Sequence, residues 1–103
     1  MDEKEFELRA REALSRIEGA LSAVEDEVDL DVADGILTLH FEDGATFVVN
    51  SHSAARQIWL SANLAAAHFS WDGAAWRDTR SGAELYGHLG RLIGEKVGRP
   101  VAL

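Results

Sequence analysis

Glu25-Asp26-Glu27-Val28-Asp29-Leu30-Asp31 is the stretch in which the pattern of the chain changes from helix to strand. Before it, apolar residues recur at steps of three and four, which is typical of an amphipathic helix. Within it and after it, apolar and acidic residues alternate, as in a half-buried strand. The helical apolar set is Phe6, Ala10, Ala13, Leu14, Ile17, Leu21 and Val24. We predict an N-terminal helix, capped by Asp2, that leads into a strand whose carboxylates point outward.

Short alternating segments separated by turn signals follow this first strand. Further strands are predicted at 36–41, 45–50, 57–61, 68–71 and 75–78, and a turn is predicted at 63–67. Asp-Gly pairs at 34–35, 43–44 and 72–73 mark tight turns between them. Because the links have hairpin length, the sheet should be antiparallel.

A second amphipathic helix is predicted near the C-terminus. Ser81 followed by Glu84 fits a capping box, and Gly98-Arg99-Pro100 ends the helical pattern. Its apolar face consists of Leu85, Tyr86, Leu89, Leu92, Ile93 and Val97. We therefore predict an α+β fold in which both helices pack side by side on one face of an antiparallel sheet of about five to six strands, an α-β sandwich whose other face meets water.

Composition limits the classes of protein to consider. With 103 residues and 47% apolar content, the chain is expected to form a single domain over 1–103. The absence of cysteine excludes disulfides, thiolate zinc sites and cysteine nucleophiles. Apolar runs are too short for a membrane span and the N-terminus is acidic, so we expect a cytosolic protein.

The net negative charge of the chain comes entirely from its first third. Residues 1–34 hold twelve Asp and Glu against four Lys and Arg, whereas residues 35–103 hold six of each. Such a surface offers oxygen ligands to cations, or a docking field to a basic protein partner. Taken alone, the carboxylates favour a third interpretation, a solvated face that serves solubility. No basic cluster suited to nucleic acid is present.

Gln57-Ile58-Trp59-Leu60-Ser61 predicts an unusual feature on the solvated sheet face. If Ile58 and Leu60 face the helices, alternation sends Trp59 to the opposite face. A large ring there is either an anchor for a partner or a contributor to cross-strand packing. Periodicity alone supports both interpretations equally.

The combination of these motifs resembles the frataxin family. Its carriers are Asn50, the segment Gln57-Ile58-Trp59-Leu60-Ser61, the aromatic strand His68-Phe69-Ser70-Trp71, Trp76, and Ser81-Gly82 before the last helix. The resemblance covers essentially the whole chain, and the length is that of bacterial, CyaY-type members without a mitochondrial extension. It implies two helices on an antiparallel sheet, weak binding of iron by ridge carboxylates, and docking on the cysteine desulfurase of iron–sulfur cluster assembly.

The resemblance also implies two sets of site residues. The metal set, called the acidic ridge below, is Glu18, Glu25, Asp26, Glu27, Asp29 and Asp31. The partner-binding set, called the Trp59 patch, is Asn50, Gln57, Trp59, Ser61 and His68. The chain departs from the family at Ala54, where proline is usual, and its helix carries fewer acids than bacterial relatives. The four histidines fall on different elements without ligand spacing and predict no site of their own.

The sequence thus predicts a cytoplasmic bacterial accessory protein, not an enzyme, that binds Fe²⁺ or Fe³⁺ weakly, with other divalent cations competing. Its expected partners are cysteine desulfurase and the iron–sulfur scaffold. It is expected to be a monomer, with iron-driven oligomers left open. Two alternatives remain: an interaction module whose iron binding is incidental, and a ferroxidase.

Overall fold

A computed structural model describes residues 1–63 and 65–103. Helix α1 spans Glu3–Ala20 and continues as a 3₁₀ turn over Leu21–Val24, and helix α2 spans Leu85–Val97. The strands are β1 Val28–Ala33, β2 Ile36–Phe41, β3 Thr46–His52, β4 Gln57–Ala62, β5 Ala65–Trp71 and β6 Trp76–Asp78. A second 3₁₀ turn, Ser53–Ala55, joins β3 to β4.

The six strands form one antiparallel sheet in chain order. Both helices bury their apolar stripes against the same sheet face, so the predicted α+β architecture is confirmed. Asp2 caps α1 as predicted, because its carboxylate accepts a hydrogen bond from the Glu5 N–H at 2.8 Å.

The core fixes which residues of each strand face outward. Ile58 and Leu60 are 0% and 2% exposed, as the alternation predicted. Completely or almost completely buried partners from the helices and the other strands include Phe6, Ile17, Leu39, Val49, Phe69, Leu85, Leu89 and Ile93. Because side chains alternate along a strand, the residues between these must lie on the other face of the sheet.

The C-terminal segment lies across α2 and is tied to α1. A Cβ atom at Gly90 would come within 2.7 Å of the Val101 carbonyl oxygen, so glycine permits this close approach. Arg16 of α1 donates a hydrogen bond to the Leu103 oxygen at 2.8 Å. This path brings Arg99 beside the segment that precedes β1.

Two local predictions were wrong. Ser81 does not cap α2: its N–H and hydroxyl bind the Asp78 carboxylate, while the Glu84 carboxylate caps the helix by accepting from the Tyr86 and Gly87 N–H groups. The expected turn at 63–67 is mostly strand, because Asn63 adopts a positive φ of 58° and β5 begins at Ala65; Leu64 lies outside the described residues. Val32 lies on the helix side of the sheet, opposite the buried Leu37, but is 52% exposed because β1 is an edge strand.

Candidate functional site

The acidic ridge extends from the end of α1 along β1. Glu18 lies in the last part of α1, Glu25 and Asp26 follow the first 3₁₀ turn, and Asp29 and Asp31 project from β1. These five side chains are exposed, whereas Glu27 is partly covered. The ridge therefore presents most of its charge to solvent.

Glu27 differs from the rest of the ridge because it is held by Arg99. The Arg99 guanidinium donates to both Glu27 oxygens, with Nη2 3.1 Å from Oε2. The hydrogen bond from Arg99 and its positive charge lower the pKa of Glu27, and the same pair raises the pKa of Arg99. Glu27 is thus the ridge carboxylate least available to a cation.

Asp31 has a neighbour as well. The Nε2 atom of His40 lies 3.1 Å from its carboxylate, and His40 is also the residue directly opposite Asp29 in the register of β1 and β2. His40 projects from the open face of the sheet, because its neighbours Leu39 and Phe41 are buried on the other face. The carboxylates with no such side-chain partner among the described residues are Glu18, Glu25, Asp26 and Asp29.

The geometry of the ridge does not form a compact chelating site. Within 1–63 and 65–103, no three His, Asp or Glu side chains come close enough to hold one ion together. Residues two apart on a strand, such as Asp29 and Asp31, have backbones separated by about 6.6 Å. The arrangement suits separate, weak and water-bridged sites for hard cations, with little selectivity between them.

The Trp59 patch forms a continuous area on the open face. Strand register places Asn50 directly opposite Trp59 on one side and His68 opposite it on the other. The indole Nε1–H donates to the Gln57 Oε1 at 2.8 Å, and the Gln57 Nε2 in turn donates to the Ser70 hydroxyl at 3.2 Å. Ser61, the fifth residue of the set, is exposed two positions along β4.

Trp59 is half-buried because an imidazole ring covers each face of its indole. The ring centroid of His68 lies 4.4 Å from that of Trp59 with planes 17° apart. The ring centroid of His52 lies 4.0 Å away on the other side with planes 14° apart. Cross-strand packing is therefore a real part of the role of Trp59, whether or not a partner also contacts it.

Sequence reasoning missed His52 in this patch. The predicted strand ended at Asn50, whereas β3 continues to His52, which pairs with Gln57. Extending the alternation of Val48 and Asn50 by one step would have placed His52 on the same face as Trp59.

In the portion of the chain that the structure describes, no polar or charged side chain is buried. Neither α1 nor α2 has the length and apolar character needed to cross a membrane.

Comparisons with known proteins find relatives over essentially the whole chain. The frataxin-like domain family matches residues 1–99. The iron–sulfur cluster assembly protein CyaY of Dechloromonas aromatica (strain RCB) is 42% identical over 104 residues, which cover 100% of this chain and 99% of that protein. The CyaY of Cupriavidus metallidurans (strain ATCC 43123 / DSM 2839 / NBRC 102507 / CH34) is 36% identical and covers 100% of this chain and 96% of its own length.

Solved structures show the same architecture. Frataxin from Psychromonas ingrahamii superposes with a TM-score of 0.92 at 27% identity, over 99% of this chain and 97% of that one. Trimeric frataxin from the yeast Saccharomyces cerevisiae, complexed with ferrous iron, gives a TM-score of 0.78 at 23% identity, over 87% of this chain and 86% of that one. At that identity the yeast structure shows a shared fold only.

Proposed function

The chain belongs to the frataxin family, and from this premise we propose that it is an accessory protein of iron–sulfur cluster assembly that docks on a cysteine desulfurase. The named relatives support the assembly role, and the surface chemistry supports the docking. The proposed unit is one frataxin-like domain over 1–103, acting in the bacterial cytoplasm as an iron-binding regulator without catalytic activity of its own.

One observation carries the docking proposal: the outward residues of β1 and the Trp59 patch lie on the same face of one sheet. Asp31 on β1 lies opposite Thr38 on β2, and Asn50 on β3 lies opposite Trp59 on β4. Three strand spacings between β1 and β4 amount to about 14 Å. A protein interface of ordinary size, roughly 800 Å² on each partner, covers both areas at once.

The two areas would contribute in different ways. Exposed carboxylates act over a distance, so the ridge would steer a basic groove of the desulfurase toward the sheet and raise the association rate. Trp59 is a large ring held in place by its neighbours, and would supply a contact that loses water on docking and slows dissociation.

Iron would bind on the ridge as cargo or effector. Fe²⁺ and Fe³⁺ accept carboxylate and water ligands, and Mg²⁺, Ca²⁺ and Mn²⁺ compete for the same oxygens. Glu18, Glu25, Asp26 and Asp29 would bind first, with Asp31 and Glu27 following because each already has a side-chain partner. Since a bound cation cancels ridge charge, iron would weaken the steering of the desulfurase.

A second candidate function is an interaction module whose iron binding is incidental. The absence of any three-ligand cluster in the described residues favours it, as does the pairing of Glu27 with Arg99. A ferroxidase, the third candidate, would have to turn over Fe²⁺ catalytically as a monomer. The iron–sulfur scaffold is a second proposed partner, and iron is the proposed trigger for any oligomer larger than a monomer.

The test uses the purified chain and a purified bacterial cysteine desulfurase, with and without Fe²⁺. Calorimetry measures their affinity, and the rate of sulfide release measures the activity of the desulfurase. We expect saturable binding that weakens when iron loads the ridge and a changed rate of sulfide release. An affinity for the desulfurase that is the same with and without Fe²⁺ would favour the interaction module whose iron binding is incidental. The proposed docking would be wrong if no binding were detected at low ionic strength.

A further inference from the structure

His52 makes two contacts from one ring. One face of the imidazole stacks on Trp59, and the Nδ1 atom accepts a hydrogen bond from the Ala55 N–H at 3.3 Å, which caps the 3₁₀ turn Ser53–Ala55. Because Nδ1 uses its lone pair as an acceptor, the neutral ring carries its proton on Nε2. The cap fixes where the ring lies, and the ring in turn borders the indole.

The orientation of the three rings follows from the sheet. His52, Trp59 and His68 lie on the adjacent strands β3, β4 and β5, with Trp59 in the middle. Their centroids are separated across the strands, and their planes are within 17° of parallel for each contact. Rings stacked in that direction stand upright on the sheet, so their edges face solvent and both indole faces are covered.

We propose that His52 is a positioning residue of the Trp59 patch: it clamps Trp59 upright against His68, so that a docking partner meets the edges of three rings and not an open indole face. The proposal rests on the docking function proposed above, and names how the patch is presented. Aromatic edges carry partial positive charge, so a carbonyl or carboxylate oxygen of the partner fits over the stack better than a second stacked ring.

Clamping raises affinity by reducing the conformational entropy that Trp59 loses on docking. A Trp side chain that is already held in its bound conformation loses less conformational freedom on docking than one that rotates freely. Gln57, two positions earlier on β4, accepts the indole N–H, but a single hydrogen bond leaves the ring free to tilt about it. The two imidazoles provide that restraint.

Two substitutions separate the cap from the clamp. Asparagine is a good capping residue but has no ring, so His52→Asn should keep the bond to the Ala55 N–H and lose the stack. Phenylalanine has a ring but no acceptor, so His52→Phe should keep the stack and lose the cap. His88→Asn is the matched control, since His88 lies on α2 beside Phe69, outside the ridge and on the side of the sheet away from Trp59.

Three readouts test the variants: hydrogen exchange at the Ala55 amide, the χ1 couplings and indole N–H signal of Trp59, and affinity for the desulfurase. In His52→Asn we expect a protected Ala55 amide, averaged Trp59 couplings and about three- to tenfold weaker binding, the range that one aromatic contact supports. In His52→Phe we expect faster exchange at Ala55, fixed Trp59 couplings and binding within about threefold of the parent.

The proposal would be overturned if His52→Asn left both the Trp59 couplings and the affinity unchanged, or if His52→Phe weakened binding as much as His52→Asn. A different pattern would identify failure of the docking function instead: Trp59 loosens in His52→Asn, yet even Trp59→Ala binds the desulfurase like the parent. The couplings are measured on the free protein and so test the clamp independently of any partner.

Discussion

The acidic ridge, which reaches the open sheet face at Asp29 and Asp31, and the Trp59 patch on that face are organised in opposite ways. On the ridge, Glu18, Glu25, Asp26 and Asp29 extend into water with no side-chain partner among the described residues. In the patch, every large side chain contacts another, and Trp59 is held by His52, His68 and Gln57. A solvated charge acts at a distance and is weakened by salt, whereas a held ring acts only on contact.

Because of this difference, the two halves of the proposed interface should be separable by experiment. Changes on the ridge should alter the association rate of the partner, and changes in the patch should alter its dissociation rate.

Trp59→Ala should weaken binding to the desulfurase by on the order of 2 kcal/mol or more, about thirtyfold in affinity, mainly through faster dissociation. The domain should remain folded because Trp59 lies outside the buried core. Calorimetric titration measures the affinity, and circular dichroism checks the fold. Leu8→Ala, which removes an exposed apolar side chain on α1 outside both the ridge and the patch, is the control. A folded Trp59→Ala protein with the affinity of the parent would show that the ring serves packing alone.

Reversing charge on the ridge should lower the rate at which the desulfurase associates. The double substitution Asp29→Lys with Asp31→Lys should slow association about tenfold at low ionic strength and flatten its salt dependence. Stopped-flow association rates at several salt concentrations measure this. Glu12→Lys with Glu95→Lys reverses the same amount of charge on the helices and controls for net charge. Equal slowing by both pairs would mean that only total charge matters.

Cation binding should affect the ridge and leave the patch unchanged. Mn²⁺ should broaden NMR signals first at Glu18 and at 25–31, with Glu27 less affected than Asp26 because Arg99 occupies its oxygens. Bound cations relieve repulsion between carboxylates and bind the folded state preferentially, so Tm should rise at millimolar metal. Broadening centred on Glu84 and His88, or an unchanged Tm, would contradict the ridge assignment.

The smallest expected effect concerns the one ridge residue that is built into the fold. The pKa of folded Glu27 lies below its ordinary value of 4.5, through its hydrogen bond with Arg99. The Glu27–Arg99 pair therefore contributes stability above pH 4.5, and that contribution is lost as the pH falls through the lowered pKa.

Urea unfolding of the parent and of Glu27→Gln between pH 3 and pH 7 checks this sign. The parent should be slightly more stable at neutral pH, and the difference should shrink toward pH 3. Asp29→Asn is the control on the same ridge, since the Asp29 carboxylate has no side-chain partner within the described residues. A difference that grew on acidification would contradict the assigned pair.

Local patterns predicted most of the fold because they depend on neighbouring residues. The buried positions of α1 and the inward Ile58 and Leu60 follow directly from periods of 3.6 and 2. The outward carboxylates Asp29 and Asp31 were found in the same way. The α2 cap was misplaced because Ser81 and Glu84 both suit a cap, and the choice depends on the Asp78 carboxylate, which binds Ser81.

The contacts that organise the candidate site could not be read from local pattern. Glu27 meets Arg99 across 72 positions of sequence, through a C-terminal segment whose path is set by its packing on α2. The stack of His52 on Trp59 depends on cross-strand register and on β3 continuing to His52, and a strand end is among the least certain features of a sequence.

A double-mutant kinetic cycle can separate the two proposed roles. In these roles the ridge speeds association of the desulfurase and the Trp59 patch slows its dissociation. The parent, Trp59→Ala, the Asp29→Lys and Asp31→Lys pair, and all three substitutions together would be measured for association and dissociation with the desulfurase at two ionic strengths. We predict that the lysine pair changes only the association rate, that Trp59→Ala changes mainly the dissociation rate, and that their effects add within about 0.5 kcal/mol. Dissociation that depends on the lysine pair as strongly as on Trp59, or no measurable effect of either on either rate, would contradict the account.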